Sequence, residues 1–209
     1  MIVVLTGAPG AGKGTQADLL VERQGYKKIS TGDALRNQIK GGTELGKTAS
    51  QFMEKGELVP DALLLDILKS ELSAVAGHKV LLDGYPRNLD QAKTLEGLAA
   101  EWTVGKAIHL DVESKQLVER LSGRRTCLNC GATFHMTMNR PEKEGICDKC
   151  GSGLTQRPDD EVKKVQTRLT VYEKSTEPVL DFYRSKGVYV RVDGLGSTED
   201  VYSRLLEAL

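Results

Sequence analysis

No stretch of this chain approaches the ~20 consecutive apolar residues that a membrane-spanning helix needs. The opening residues, MIVVLTG, carry no cationic lead, and their apolar run is too short for a signal peptide. The expected setting is the cytoplasm. There is no excess of either charge, since Lys plus Arg and Asp plus Glu number 29 each. A protein built to coat nucleic acid usually carries a basic surplus, so the balance argues against that class. Aromatics are only 5% of the chain, too few for a base-stacking platform. Histidines are scarce as well. His78, His109 and His135 have no partners at catalytic spacing and read as structural or surface residues. Internal repeats and low-complexity segments are absent.

The 209 residues suit one ordinary domain with a small inserted unit. Short apolar runs at Ile2–Leu5, Tyr26–Ile29, Val80–Leu82, Ala107–Leu110 and Val188–Val192 read as strands. Helical patterns lie between them: Lys13–Gln24, with Ala17, Leu20 and Val21 on one side; a glycine-broken set over Ser30–Val59, with Thr31 as a helix cap; and a stronger helix from Pro60-Asp61. Further helices are expected at Glu113–Ser122, from about Asp159 with an interruption near Pro178, and at Thr198–Ala208. Buried strands alternating with helices give an α/β fold: a doubly wound, five-stranded parallel sheet of the P-loop type. Ligands of such sheets bind beyond the carboxyl ends of the strands. Gly7, Asp83, Asp111 and Asp193 sit at such ends.

The run GAPGAGK, Gly7 to Lys13, fits the G-x-x-x-x-G-K phosphate loop and stands between a strand and a helix, as that motif requires. Its glycines let backbone N–H groups turn inward, and those groups with the helix N-terminus bind an anion. Lys13 adds a point charge. Gly14 stands where Ser or Thr usually follows the lysine, and Thr15 comes one residue later. Magnesium would then be held through phosphates and water, with Asp83, at the end of a buried strand, and Asp33 as carboxylates behind the water.

The only four cysteines are Cys127, Cys130, Cys147 and Cys150, spaced C-x2-C-x16-C-x2-C. That spacing reads as a four-thiolate zinc site, with Gly131 and Gly151 directly after each pair. Four protein ligands close a tetrahedral ion, so the metal is read as structural. Iron or cobalt fit the same ligands. Unligated or oxidised thiols are the alternative.

At this point the sequence resembles the adenylate kinases almost from end to end. GAPGAGKGTQA, STGDALR, LLDGYPRN with Gln91, GRR, QRPDD and the late VDG occur in that family's order and spacing. The resemblance implies reversible phosphoryl transfer from MgATP to AMP, giving two ADP. It implies that Gly10, Ala11, Gly12, Lys13, Gly14 and Thr15 hold the ATP phosphates. Arg120, Arg124, Thr133, Phe134 and the backbone near Gly196 would contact ATP. Thr31, Arg36, Glu57, Leu58, Val59, Gly84, Tyr85, Pro86, Arg87 and Gln91 would bind AMP. Arg157 and Arg168 would straddle the reacting phosphates. The catalytic set is then Lys13, Arg87, Arg124, Arg157 and Arg168. The implied domains are a core (1–29, 60–121, 159–209), an AMP flap (30–59) and a zinc-bearing lid (122–158) hinged at Ser122-Gly123 and Arg157-Pro158. So short a lid has little core of its own, and a metal supplies the missing folding energy.

Physical chemistry agrees with arginines in these roles. Phosphoryl transfer needs substrates held in line and charge neutralised, and a guanidinium forks onto phosphate oxygens. Arg120 and Arg124, four apart, are expected on one helix face, as are Arg157 and Arg168 if their helix is continuous. Arg125 points off that face. Three rivals stand beside this reading: a kinase for UMP, CMP or GMP, a nucleic-acid-binding zinc ribbon, and an inactive nucleotide sensor. Two movable flaps and no spare apolar stripe favour a monomer with small-molecule partners only.

Overall fold

The computed structural model describes residues 1–98 and 102–209. Strand β1 is Ile2–Thr6, β2 Lys27–Ser30, β3 Val80–Asp83 and β4 Val104–Asp111; β5 to β7 are Arg124–Cys127, Thr133–His135 and Leu154–Thr155; β8 is Tyr189–Asp193. Helices α1 to α5 are Lys13–Gln24, Thr31–Lys40, Glu44–Met53, Asp61–Ala74 and Leu89–Glu96. Helices α6 to α9 are Ser114–Ser122, Val162–Val171, Glu177–Ser185 and Thr198–Ala208.

The main sheet runs β2-β3-β1-β4-β8, all parallel. Alternation along β1 explains its two-sided burial. Val3 and Leu5 face a layer carrying Leu20, Leu117, Val165 and Leu205, while Ile2 and Val4 face Leu68, Leu72, Leu95 and Tyr183. With β1 central, the loop after Thr6 opens at the middle of the carboxyl edge, where α/β sheets bind ligands.

Two excursions leave this core. Helices α2 and α3 close on Leu35, Ala49, Val59 and Leu64, the last supplied by α4. Gly46 is required there, because any Cβ would strike the backbone of Gln38 on α2. The second excursion is a three-stranded antiparallel sheet, β6-β5-β7, around Cys127, Ala132, Phe134 and Cys147.

Several sequence expectations need correction. The cap of α2 is Ser30, whose hydroxyl accepts from the Asp33 N–H; Thr31 is inside the helix. Val21 is exposed on α1, and Gln16 is buried instead. Helix α5 had no strong apolar period and was not expected. Arg120 and Arg124 do not share a helix, because α6 ends at Ser122 and Arg124 begins β5. Arg157 and Arg168 are not on one continuous helix either: Arg157 is extended, a 3-10 turn spans Pro158–Asp160, and Glu161 is extended again before α7. The interruption near Pro178 is a π turn over Tyr172–Thr176.

Candidate active site

Helix α1 starts directly from the glycine loop. Its N-cap is Gly12, at φ 96°, and no side chain caps it. Only a glycine takes that conformation without strain, and its use leaves the first-turn N–H groups free for an anion. Lys13 folds back over the loop, its Nζ donating to the carbonyls of Gly7 (2.7 Å) and Ala8 (3.0 Å). Burial, reinforced by Arg87, Arg168 and Arg124 and opposed by Asp83, pushes the Lys13 pKa down to about 8.

Two cavities meet at this loop. The larger, about 690 Å3, is lined by Gly10 to Thr15 on one side. Arg124, Thr133 and Phe134 line it from the cysteine sheet, Arg120 from α6, and Gly194 to Thr198 from the loop after β8. Phe134 is buried on its other side within the cysteine cluster. The smaller, about 120 Å3, is lined by Thr31, Glu57, Leu58 and Val59 from the α2–α3 side and by Gly84 and Pro86 from the loop after β3. Lys13, Arg36, Arg87 and Arg168 line both. Arg157 lines the larger alone.

Tyr85 and Gln91 line neither cavity. Tyr85 packs in the core beneath, across a cis Tyr85–Pro86 peptide. The amide of Gln91 is spent within the protein: its oxygen accepts from the Arg87 N–H at 2.7 Å, and its nitrogen donates to Asp61 at 2.6 Å. Arg125 is turned away, bonding the carbonyls of Ser122 and Arg124.

The shared wall is a collection of half-buried cations. Burial first, then Arg168, pushes Arg87 down to about 10; in the larger cavity beside that wall, burial, then Arg124 and Arg36, pushes Arg157 down to about 9. Arginines stay charged at neutral pH, so this wall favours anions. Two acids that the sequence reading gave no role relieve part of that. Asp160, fully buried, accepts a two-point bond from Arg124 (2.7 and 2.6 Å) and a third from Arg168 at 2.9 Å. Asp159 pairs with Arg168 at 2.9 Å. Their signal was the acid pair in QRPDD, beside more arginines than solvent alone would hold in place.

Asp83 and Asp33 both line the larger cavity. Asp83 has no hydrogen bond or ion pair among the described residues, and its Oδ2 is 3.8 Å from where a Cβ on Gly14 would sit. Asp33 is engaged by Arg36 and, at 3.5 Å, by Lys28. Burial would raise its pKa, but those cations win and hold it near 2. Of the other strand-end acids, Asp111 pairs with Arg191, and Asp193 accepts from the Leu195 N–H.

The four cysteine sulfurs lie within 4.8 Å of one another, with Cys127 to Cys150 at 3.4 Å and Cys130 to Cys147 at 3.5 Å. These are not disulfide distances. Sulfurs ligating a tetrahedral zinc at ~2.3 Å stand about 3.8 Å apart, so the donors fit such an ion in kind and size. The two halves repeat one local design. The carbonyl of Cys127 accepts from Gly131 and its N–H donates to Ala132; Cys147 does the same with Gly151 and Ser152. Lys40 of α2 donates to the carbonyl of Leu128, inside the first half, at 3.2 Å, so the two excursions touch across the cleft.

The sequence profile of the family described as Adenylate kinase matches residues 5–188. The chain belongs to the adenylate kinase family. An adenylate kinase of a Geobacillus species is 47% identical, covering 100% of this chain and 98% of its own length. That of Caldicellulosiruptor bescii is 45% identical, covering 100% and 99%. The archaeal adenylate kinase of Methanosarcina barkeri is 44% identical, covering 100% and 98%. As an adenylate kinase, the chain is a nucleoside monophosphate kinase. The resemblance drawn from the ordered motifs thus holds over the whole length, and the phosphate loop, two-cavity cleft and cysteine cluster are its setting.

Proposed function

We propose that the enzyme transfers a phosphoryl group reversibly from MgATP to AMP, giving two ADP. ATP occupies the larger cavity and AMP the smaller. The observation that carries this is the wall both cavities share, made of Lys13, Arg36, Arg87 and Arg168. Two polyanions entering from opposite sides bring their phosphates together against the same cations. That is the geometry an in-line transfer needs, and little covalent help is required.

The α1 N-terminus and Lys13 hold the donor phosphates. Arg87, Arg157 and Arg168, with Arg124 from the cysteine sheet, neutralise charge that spreads over the transferring group. Asp83, unpaired, and Asp33 would hold, through water, a magnesium ion brought in with ATP, and such an ion would supply further charge neutralisation for the phosphates. The Glu57–Val59 backbone and Thr31 face the acceptor nucleotide. Gln91 and Tyr85 support that site from behind. The core (1–29, 60–121, 159–209), a flap (30–59) and a lid (122–158) are the units we infer to move, the last two closing to exclude water from the reaction. Zinc on the four cysteines holds the lid together and takes no part in the chemistry. We take the working form to be a cytoplasmic monomer without nucleic-acid or membrane partners; no helix among the described residues is long and apolar enough to cross a membrane.

The test is a coupled assay for ADP formation from MgATP with AMP, GMP, CMP and UMP offered in turn. Activity with AMP alone is expected. Preference for another monophosphate would overturn the acceptor, and silence with all four from folded, metal-replete protein would overturn the reaction.

A further inference from the structure

The π turn between α7 and α8 has no part in the reading above, yet it touches the site at both ends. Tyr172–Thr176 is a single turn of this rare geometry, closed by the Glu177 N–H donating to the Tyr172 carbonyl. Such turns occur mostly as isolated insertions inside α-helices, and often at functional sites. Here both Tyr172 and Thr176 line the smaller cavity.

Each is tied to a different part of the enzyme. The Tyr172 hydroxyl is 3.2 Å from Nε2 of His109 on β4, and Nδ1 of His109 is 3.1 Å from the Tyr189 hydroxyl on β8. That end of the turn is pinned to the central sheet. At the other end the Thr176 hydroxyl, almost fully buried, donates to the carbonyl of Arg87 at 2.7 Å. The Arg87 N–H is already held by Gln91, and its Nε donates to the Gly84 carbonyl at 2.7 Å. The carbonyl is the last polar group of the Arg87 backbone, and only Thr176 holds it among the described residues.

We propose that Thr176 is a positioning residue for AMP, acting through the backbone of Arg87, and that the π turn exists to bring it there from a sheet-anchored base. The proposal rests on the assignment of the smaller cavity to AMP. A long, flexible arginine in a shared wall is effective only if its backbone is fixed, because a misplacement of about 1 Å costs on the order of 100-fold in rate. Losing one of three restraints costs less than that.

The experiment is steady-state kinetics, with calorimetric binding of AMP and ATP, on Thr176→Val, which keeps the shape and removes the donor, and on Thr176→Ser, which restores it. For Thr176→Val we expect about a tenfold rise in KM and Kd for AMP, with the Kd for ATP within twofold of wild type. Thr176→Ser should recover most of the loss. Unchanged AMP binding in a folded Thr176→Val protein overturns the proposal. So does an equal loss for both nucleotides that Ser does not rescue, since that marks general structural damage. Wild-type protein that neither binds nor phosphorylates AMP would instead overturn the assignment of the cavity.

Discussion

The α2–α3 pair and the cysteine sheet both leave one sheet, and both cover one cleft, but they are built on opposite principles. The α2–α3 pair has a hydrocarbon cluster and borrows Leu64 from α4, so its stability is continuous with that of the core. The cysteine sheet keeps its own centre, and two of its four buried apolar members are cysteines. What joins it to the core is polar: Arg124 on the Asp160 carboxylate, and the Gln156 amide nitrogen on the Asp160 carbonyl at 3.2 Å. A small unit with so little apolar area cannot offset its own ordering entropy, and a ligated metal can. A unit fastened by charge rather than by grease can also come away from the core without exposing an apolar face.

The largest effect that would break this comparison is removal of the metal site. In the zinc-loaded protein, Cys127→Ser should cost ~5 kcal/mol or more, a fall of about 10–20 °C in thermal midpoint, with lost zinc and a smaller change in turnover per folded molecule. If chemistry vanished while the midpoint stayed put, the metal would belong to the reaction and the contrast would be false. Next comes Asp160→Asn. It removes the carboxylate between two half-buried guanidiniums and should cost about 3–5 kcal/mol, read by denaturant unfolding. Bound ATP should restore part of it, because its phosphates supply replacement anions. Leu35→Ala should cost about 2–4 kcal/mol through a cavity in the α2–α3 cluster. Its signature is the reverse of the cysteine variant: weaker AMP binding, with zinc content and ATP affinity unchanged.

The two excursions also differed in how far the sequence disclosed them. Cysteine spacing is local chemistry, and four thiols at those separations leave few arrangements, so the cluster was legible in advance. The core strands were legible for a similar reason, since Ile2–Leu5 and Val80–Leu82 are unbroken apolar runs. Strand β4 starts earlier than its apolar run because Gly105 and Lys106 interrupt the pattern, while pairing with β1 already begins at Val104 and resumes at Lys106 after a one-residue register shift. The spacing argument for the arginines took the wrong route. Arg124 reaches the cleft from a strand, and Arg157 from extended backbone, because Gly123 ends α6 and the extended Arg157 and Glu161 bracket the 3-10 turn before α7, breaks that a spacing argument runs straight through. Asp160 and Thr176 were invisible for a deeper reason. Each matters only through a partner distant in sequence, and nothing local distinguishes a buried acid or threonine from an exposed one.

The smallest effect concerns the wall that belongs to neither excursion. Burial, reinforced by the neighbouring arginines, lowers Lys13 from its ordinary 10.5 to about 8. From pH 8 to 10.5 the folded protein therefore holds fewer protons here than the unfolded chain, and this group's contribution makes stability rise with pH across that window. Nucleotide binding has the opposite sign. Phosphates beside Lys13 favour the charged form, so binding above pH 8 takes up a proton and weakens as pH rises. The affinity for ATP should fall by up to about tenfold per unit above pH 8, and the slope should vanish in Lys13→Met, whose affinity is already low. Calorimetry in buffers of different ionisation enthalpy would count the proton directly. A count of zero at pH 9 would mean that Lys13 keeps its charge before nucleotide binds, with Asp83 outweighing burial and the neighbouring arginines.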